Sequence, residues 1–326
     1  MYTSLVEKQK LVPIFFAVDD KYAPYLSVAL RSLIENASPS YQYRIHILID
    51  TLSEETKARL LSMQTDAVSV EFVSVREKLE KYMGKLHLRD YYTQATYYRF
   101  VISELFPEYD RCIYLDCDIL VLGNIAALYE KELDDCLMGA IPDDVVANLS
   151  FFRDYVGKFL GVPYEQYFNA GILLLNLAEM RRVNMENAFM HIMNERKFPV
   201  AQDQDYLNVL CHGRTKYLDG SWNRTAFPDA ETGETPNIVH FKINFKPWHY
   251  DDIAFGKRFW AYAAQTPFYE DLLRIRAAYT DEERVRDAGQ YEGLVALANA
   301  ETAKVDEHYV VPTVFSVDAM MKKECL

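Results

Sequence analysis

Two aspartates interrupt an apolar run. In residues 113–122, IYLDCDILVL, Asp116 and Asp118 flank Cys117 where the pattern otherwise calls for core. In extended backbone, residues i and i+2 point to the same side, so the two carboxylates aim at one point from stems about 6–7 Å apart. At an effective dielectric near 20 such a pair repels by roughly 2–3 kcal/mol, so a positive partner belongs there. Oxygen ligands suit Mg²⁺ or Mn²⁺, which carry phosphates into sites while held by one or two carboxylates. A lone D-x-D also reads as a polar turn at a strand end, one aspartate capping and the other solvated. The pair alone leaves both readings open.

The elements around it narrow the choice. Residues 11–18 and 43–49 predict strands, and 25–34 carries Leu26, Ala29, Leu30, Leu33 and Ile34 at helical spacing. Ser53 is placed to cap a helix with early acids and later bases. Residues 68–75 alternate as a strand, 96–106 predict a helix, and 111–115 a further strand. This alternation is the rhythm of a doubly wound α/β sheet, whose ligands bind beyond the carboxyl ends of the strands. Asp19 and Asp20 follow one strand and Asp116 and Asp118 another, so both acidic clusters fall on that edge. Further on, the pattern predicts a strand over 171–177, one helix over 178–196, a short helix from Asp203, a strand over 238–241, and mostly helix beyond 253. No linker divides the chain, which reads as one domain with a C-terminal helical extension.

Composition excludes some partners. The chain has 326 residues, half of them hydrophobic, and a net charge of −13. That charge argues against nucleic-acid binding, which needs a basic surface. A phosphate-bearing substrate would need positive charge supplied locally, by a metal or a few placed Lys and Arg. Five cysteines (Cys112, Cys117, Cys136, Cys211, Cys325) have no metal-binding spacing and read as reduced thiols of a cytoplasmic protein. The first residues have no leader-type cleavage site, and no apolar stretch approaches the ~18–20 residues of a membrane span.

Four segments taken in order carry a resemblance: FFAVDDKYAPYLSVALRSL, IYLDCDILV, YFNAGILLLNL, and AQDQDYLN with HFKINFKPW. Together they resemble the family 8 glycosyltransferases, retaining enzymes that include glycogenin and the bacterial lipooligosaccharide galactosyltransferases. The likeness runs from about residue 14 to residue 248. It implies an α/β fold of the GT-A nucleotide-diphospho-sugar transferase type, a mixed central sheet flanked by helices. The catalytic domain would be residues 1–250, and residues 251–326 a mostly helical extension. It implies a UDP-sugar donor (glucose or galactose) and a saccharide or glycolipid acceptor, the enzyme acting in the cytoplasm or at the inner membrane face. Asp116, Asp118 and His240 would hold Mn²⁺ or Mg²⁺. Ala17, Asp19 and Tyr22 match positions that receive uracil and ribose. Arg99, Asp143 and Asn169 match donor-sugar and phosphate positions, and Cys117, Ala170 and Asn244 join the donor set. Lys246 matches a lysine supporting the departing UDP, and Asp203 and Gln204 match residues flanking the anomeric carbon. Asp203 also reads as a plain N-cap. One departure stands out: Ile243 occupies a position where many members carry glycine.

Three rivals bear on the same residues. A haloacid-dehalogenase-type phosphatase would use the D-x-D aspartates as nucleophile and acid, but wants the motif near the chain start. His249 and Asp251 with His308 could imitate a non-haem iron triad. A UDP-sugar binder or self-glycosylating scaffold would keep the donor site without the transfer.

Overall fold

The apolar runs that open the chain become adjacent parallel strands. The computed structural model describes residues 9–80, 94–228, 230, 231, 233–306 and 308–324; Cys325 and the first eight residues lie outside them. Strands β1 (Lys10–Ala17), β2 (Tyr41–Ile49) and β3 (Val68–Ser74) pair in parallel. The centre of β1 is buried on both faces, which is why it reads as a continuous hydrophobic run. Parallel neighbours need crossovers, here the helices Ala23–Glu35 and Glu54–Leu61. Ser53 caps the second, its hydroxyl accepting from the Thr56 amide at 3.2 Å.

Beyond β1 the sheet turns mixed. Strand β4 (Arg111–Leu115) lies parallel to β1, followed in the chain by β5 (Ile119–Val121) and β6 (Met138–Pro142). Strand β7 (Phe168–Asn176) runs antiparallel between β4 and β6, and β8 (Thr215–Tyr217) closes the far edge. The order is β3-β2-β1-β4-β7-β6-β8. A small second sheet joins β5 to β10 (Ile238–His240) and β9 (Arg224–Thr225). The mixed sheet with flanking helices agrees with the expected fold class.

Register brings the motifs together. Ile14 and Phe15 face Ile113 and Tyr114 across the parallel β1–β4 pair, so Asp19 and Asp116 leave the sheet at one edge. Leu115 faces Ile172, and the Asp116 amide donates to the Gly171 carbonyl at 2.7 Å. His240 faces Ile119, and the Phe241 amide donates to the Asp118 carbonyl.

Two helical expectations need correction. Residues 96–106 form a 3₁₀ helix, Gln94–Val101, before a single α-turn, Ile102–Leu105. Aromatic and β-branched residues crowd this stretch, and they lose χ1 freedom in an α-helix. Residues 178–196 form two helices, Leu177–Arg182 and Met185–Glu195, parted by Asn184 at φ 52°. Asparagine is among the few non-glycine residues that adopt this left-handed conformation readily.

From residue 253 onward the described chain is mainly helical. Gly256–Ala263 packs on Ala23–Glu35, and Asp281–Thr302 packs on the segment around Ser150–Leu160. The latter opens with a capping box of Thr280 and Glu283 and buries Leu294, Ala298 and Glu301. Among the described residues no helix is long and apolar enough to cross a membrane.

Candidate active site

The two aspartates of the interrupted run meet His240 at the sheet edge. Ligand-type atoms of Asp116, Asp118 and His240 all lie within 4.8 Å of one another, and among the described residues they are the group that could hold a metal. His240 Nε2 stands 3.2 Å from Asp118 Oδ1 and 3.9 Å from Asp116 Oδ2. Gly171 is what leaves room for them. A Cβ there would sit 2.4 Å from the His240 ring and 2.6 Å from Asp116. Two carboxylates and an imidazole of this kind fit Mn²⁺ or Mg²⁺.

Positive charge surrounds this cluster. The Lys246 ammonium lies 2.5 Å from Asp118 Oδ2 and also donates to the Phe241 carbonyl. Burial acts to raise the Asp118 pKa, but Lys246 and His240 outweigh it and hold the carboxylate far below its ordinary range. Arg99 is almost fully buried. It donates to Asp116 at 3.2 Å and to the carbonyls of Thr96 and Ala170, pairs with Asp203 at 3.3 Å, and stacks over Tyr114. Burial disfavours its charge, yet Tyr114, Asp203 and Asp116 keep it protonated.

Asp203 and Gln204 begin the helix Asp203–Leu210. The N-cap is Gln202, not Asp203 as the sequence allowed; Asp203 is instead buried against Arg99. Burial pushes its carboxyl up to about 7, with Arg99 opposing. Gln202 has φ 49° and ψ −115°, a sparsely populated conformation that costs of order 1–3 kcal/mol and persists only where surroundings over-determine it. Asp205 anchors Ala201, the residue before Gln202. Fully buried, it accepts from Tyr155 at 2.8 Å, Tyr167 at 2.6 Å and the Ala201 amide at 2.9 Å.

Asp143 follows β6 and accepts from the Val145 amide, from Gln204 Nε2 at 3.1 Å and, more distantly, from Asn169. Asn169 and Ala170 lie at the start of β7, where Gln204 Oε1 accepts from both. Ala17, Asp19, Tyr22 and Cys117 line the same cleft. Asp19 accepts from the Tyr22 amide at 2.9 Å, and the Cys117 thiol donates to the Ala17 carbonyl at 3.2 Å. Asp20 turns away to hold Ser53 and Thr56.

Asn244 is not brought into the cleft. Ile243 has φ 52°, and the turn it makes faces Asn244 to the helix Asp281–Thr302, where it donates to the Asp287 carbonyl at 3.4 Å. The glycine expected at 243 is thus absent from a position that bends as a glycine does. The iron-triad rival is not assembled: His249 stacks on Tyr279 and Asp251 pairs with Arg276.

Two contacts had no signal in the sequence. Lys242 is buried and bridges Asp144 at 2.9 Å to Asp143 at 3.5 Å. Asn223, beside β9, accepts from His240 Nδ1 at 3.0 Å. Asn223 lies in no periodic pattern or spaced motif, and Lys242, though within HFKINFKPW, carries no sequence mark of its pairing with Asp143 and Asp144, which only the folded chain creates.

The family described as Glycosyl transferase family 8 matches residues 13–252. General stress protein A of Bacillus subtilis is 26% identical over 266 residues, covering 75% of this chain and 90% of that protein. The lipopolysaccharide 1,3-galactosyltransferase of Salmonella typhimurium is 26% identical over 259 residues, 72% of each. Among solved structures, the galactosyltransferase LgtC, bound to donor and acceptor sugar analogs, is similar with a TM-score of 0.67 at 26% identity, over 78% of this chain and 96% of that one.

Proposed function

The chain belongs to glycosyl transferase family 8, and on that premise we propose that it moves a glucosyl or galactosyl group from a UDP-sugar to an acceptor hydroxyl, with retention at the anomeric carbon. The observation that carries this reading is the meeting of Asp116, Asp118 and His240 beside Lys246, under a glycine that makes room for them. Asp116, Asp118 and His240 would hold Mn²⁺ or Mg²⁺. When bound, the ion supplies the positive charge that lets an acidic cleft accept a diphosphate.

The chain's own residues do the rest. Asp19 and Tyr22 receive the uracil and ribose at the end of β1. Arg99, Asp143, Asn169 and Ala170 orient the hexose. In the transfer, the acceptor oxygen bonds to the anomeric carbon as the bond to the β-phosphate oxygen breaks. The acceptor proton passes to that departing oxygen, and Lys246 stabilises the charge on the leaving UDP, the kind of contribution that is usually the largest catalytic term. A covalent glycosyl-enzyme is disfavoured by the state of its candidates. Asp203 is paired with Arg99 and titrates near 7, and Gln204 Oε1 is occupied by Asn169 and Ala170.

The acceptor enters beside the helix Asp281–Thr302 in this proposal. There the cleft shares Val145 and Ile243 with an apolar cavity of about 280 Å³ walled by Leu149, Phe227, Phe245 and Tyr291. A cell-envelope saccharide or glycolipid, glycosylated in the cytoplasm or at the inner membrane face, agrees with the name of the Salmonella relative. The test is UDP release from UDP-glucose and UDP-galactose with Mn²⁺ or with chelator, water or added glycosides serving as acceptor. The proposal expects metal-dependent release, a preference for one donor, and an α-anomer by proton NMR. UDP binding without release from either sugar would favour the idle binder, and a β-product would refute retention.

A further inference from the structure

The side chains behind the metal ligands form an unbroken chain of amides. Its direction is set by two backbone N–H groups, which can only donate. The Ala170 amide donates to Gln204 Oε1 and the Gly171 amide to Asn169 Oδ1, each at 3.0 Å. Those bonds identify the oxygen ends of both side chains, so Asn169 must turn its Nδ2 toward Gln204 Oε1, 3.0 Å away. Asn169 Oδ1 then has Asn223 before it at 3.0 Å, and the group facing it must be the Asn223 Nδ2 donor. Asn223 Oδ1 is left for His240, 3.0 Å from Nδ1. An amide oxygen can only accept, so His240 carries a proton on Nδ1, and Nε2, 3.2 Å from Asp118 Oδ1, is the nitrogen that gives up its proton when a metal is held.

We propose that Asn223 is a positioning residue that fixes the His240 tautomer, freeing Nε2 toward Asp116 and Asp118, and that ties the metal ligands to the donor-sugar pocket. The inference rests on the metal reading above and adds a residue and a coupling to it. Asn223 is 2% exposed and His240 3%, so water cannot easily replace either partner. Trp222, buried in the core beside it, anchors the segment. The same chain continues from Gln204 Nε2 to Asp143, so the metal ligand and the sugar-facing carboxylate share one network. A ligand that tightens the hydrogen bonds at one end of this single arrangement tightens what the other end relies on, and coupling of that kind is reciprocal.

The test measures Mn²⁺ affinity by electron paramagnetic resonance of the free ion, in the presence of UDP or of a UDP-hexose. Partners of this sort to a metal-bound histidine typically change affinity by 10–100-fold when lost. Asn223→Ala should therefore weaken Mn²⁺ by roughly that factor while keeping a cooperative thermal transition in chelator. Asn223→Asp retains an acceptor for Nδ1–H and should recover most of the affinity. It has no donor for Asn169, so Mn²⁺ affinity should cease to differ between UDP and UDP-hexose, and the donor KM should rise. Wild-type affinity in Asn223→Ala, or equal weakening in the Ala and Asp variants, would overturn the proposal. Should the Ala variant fail to fold, the Asp variant decides alone, by whether affinity persists while the sugar dependence disappears. Absence of Mn²⁺ binding in the wild type would instead remove the metal reading, and this inference with it.

Discussion

Lys246 stands where a cation is wanted, within 2.5 Å of a carboxylate that is also a candidate metal ligand. In the metal-free protein it competes for Asp118, and in the proposed transfer it would face the leaving diphosphate. Lys246→Met should therefore separate two quantities. Mn²⁺ affinity without nucleotide should hold or rise, because the competitor is gone. The kcat should fall by about 10²–10³, the usual effect of removing one charge-stabilising donor. Isothermal titration and steady-state kinetics on the same preparation check both, and a parallel loss in each would contradict the assignment. Asp203 offers a second test through pH. Burial lifts its folded pKa to about 7, above an ordinary aspartate near 3.9. Between those values the folded state holds the extra proton. Its contribution to stability is therefore fully present below about pH 4, falls as pH rises to about 7, and is level above. Denaturation of the chelator-treated protein across this range should show that slope, and Asp203→Asn should flatten it.

The strands were legible because their chemistry is local. The run of β1, the alternation in β3 and the acid pair after β4 announce themselves within ten residues, as does the Ser53 cap. What sequence could not disclose are contacts made across the fold and backbone conformations imposed by it. Asn223 and Lys242 matter through partners in distant segments, and Gln202 and Ile243 take up positive φ in stretches with no glycine to announce it. Ile243 makes this measurable. A left-handed L-residue costs roughly 1–2 kcal/mol, which glycine avoids and alanine does not. Ile243→Gly should thus be more stable than Ile243→Ala in urea by about 1 kcal/mol, the reverse of the order inside a helix. At the start of β7 the demand is space. Gly171→Ala would press a methyl into His240 and Asp116. The folded variant should lose at least tenfold in Mn²⁺ affinity, an effect as large as losing a partner of a ligand; unchanged affinity would show that the three ligands need no such clearance.

Across the whole molecule, a sheet edge gathers groups from β1, β4, β6, β7 and β10 into one cleft, while the C-terminal helix Asp281–Thr302 supplies Leu294 to its wall. That last contribution bears on the domain division read from sequence. We propose that residues 251–326 serve the site as a flank and are not a mere appendage, since Asp287 and Leu294 both reach the loop or cleft. The net charge of −13 gives the account its central requirement: nucleotide diphosphate and metal must bind together, each supplying what the other needs. Thermal unfolding with UDP and Mn²⁺, singly and combined, tests this most directly. A ligand at a hundred times its Kd adds about 2.7 kcal/mol, worth a few degrees in Tm for a chain of this size. The account predicts that the pair raises Tm well beyond the sum of the two alone, and that Asp118→Asn abolishes the excess. An additive response, or one that survives in Asp118→Asn, would contradict it.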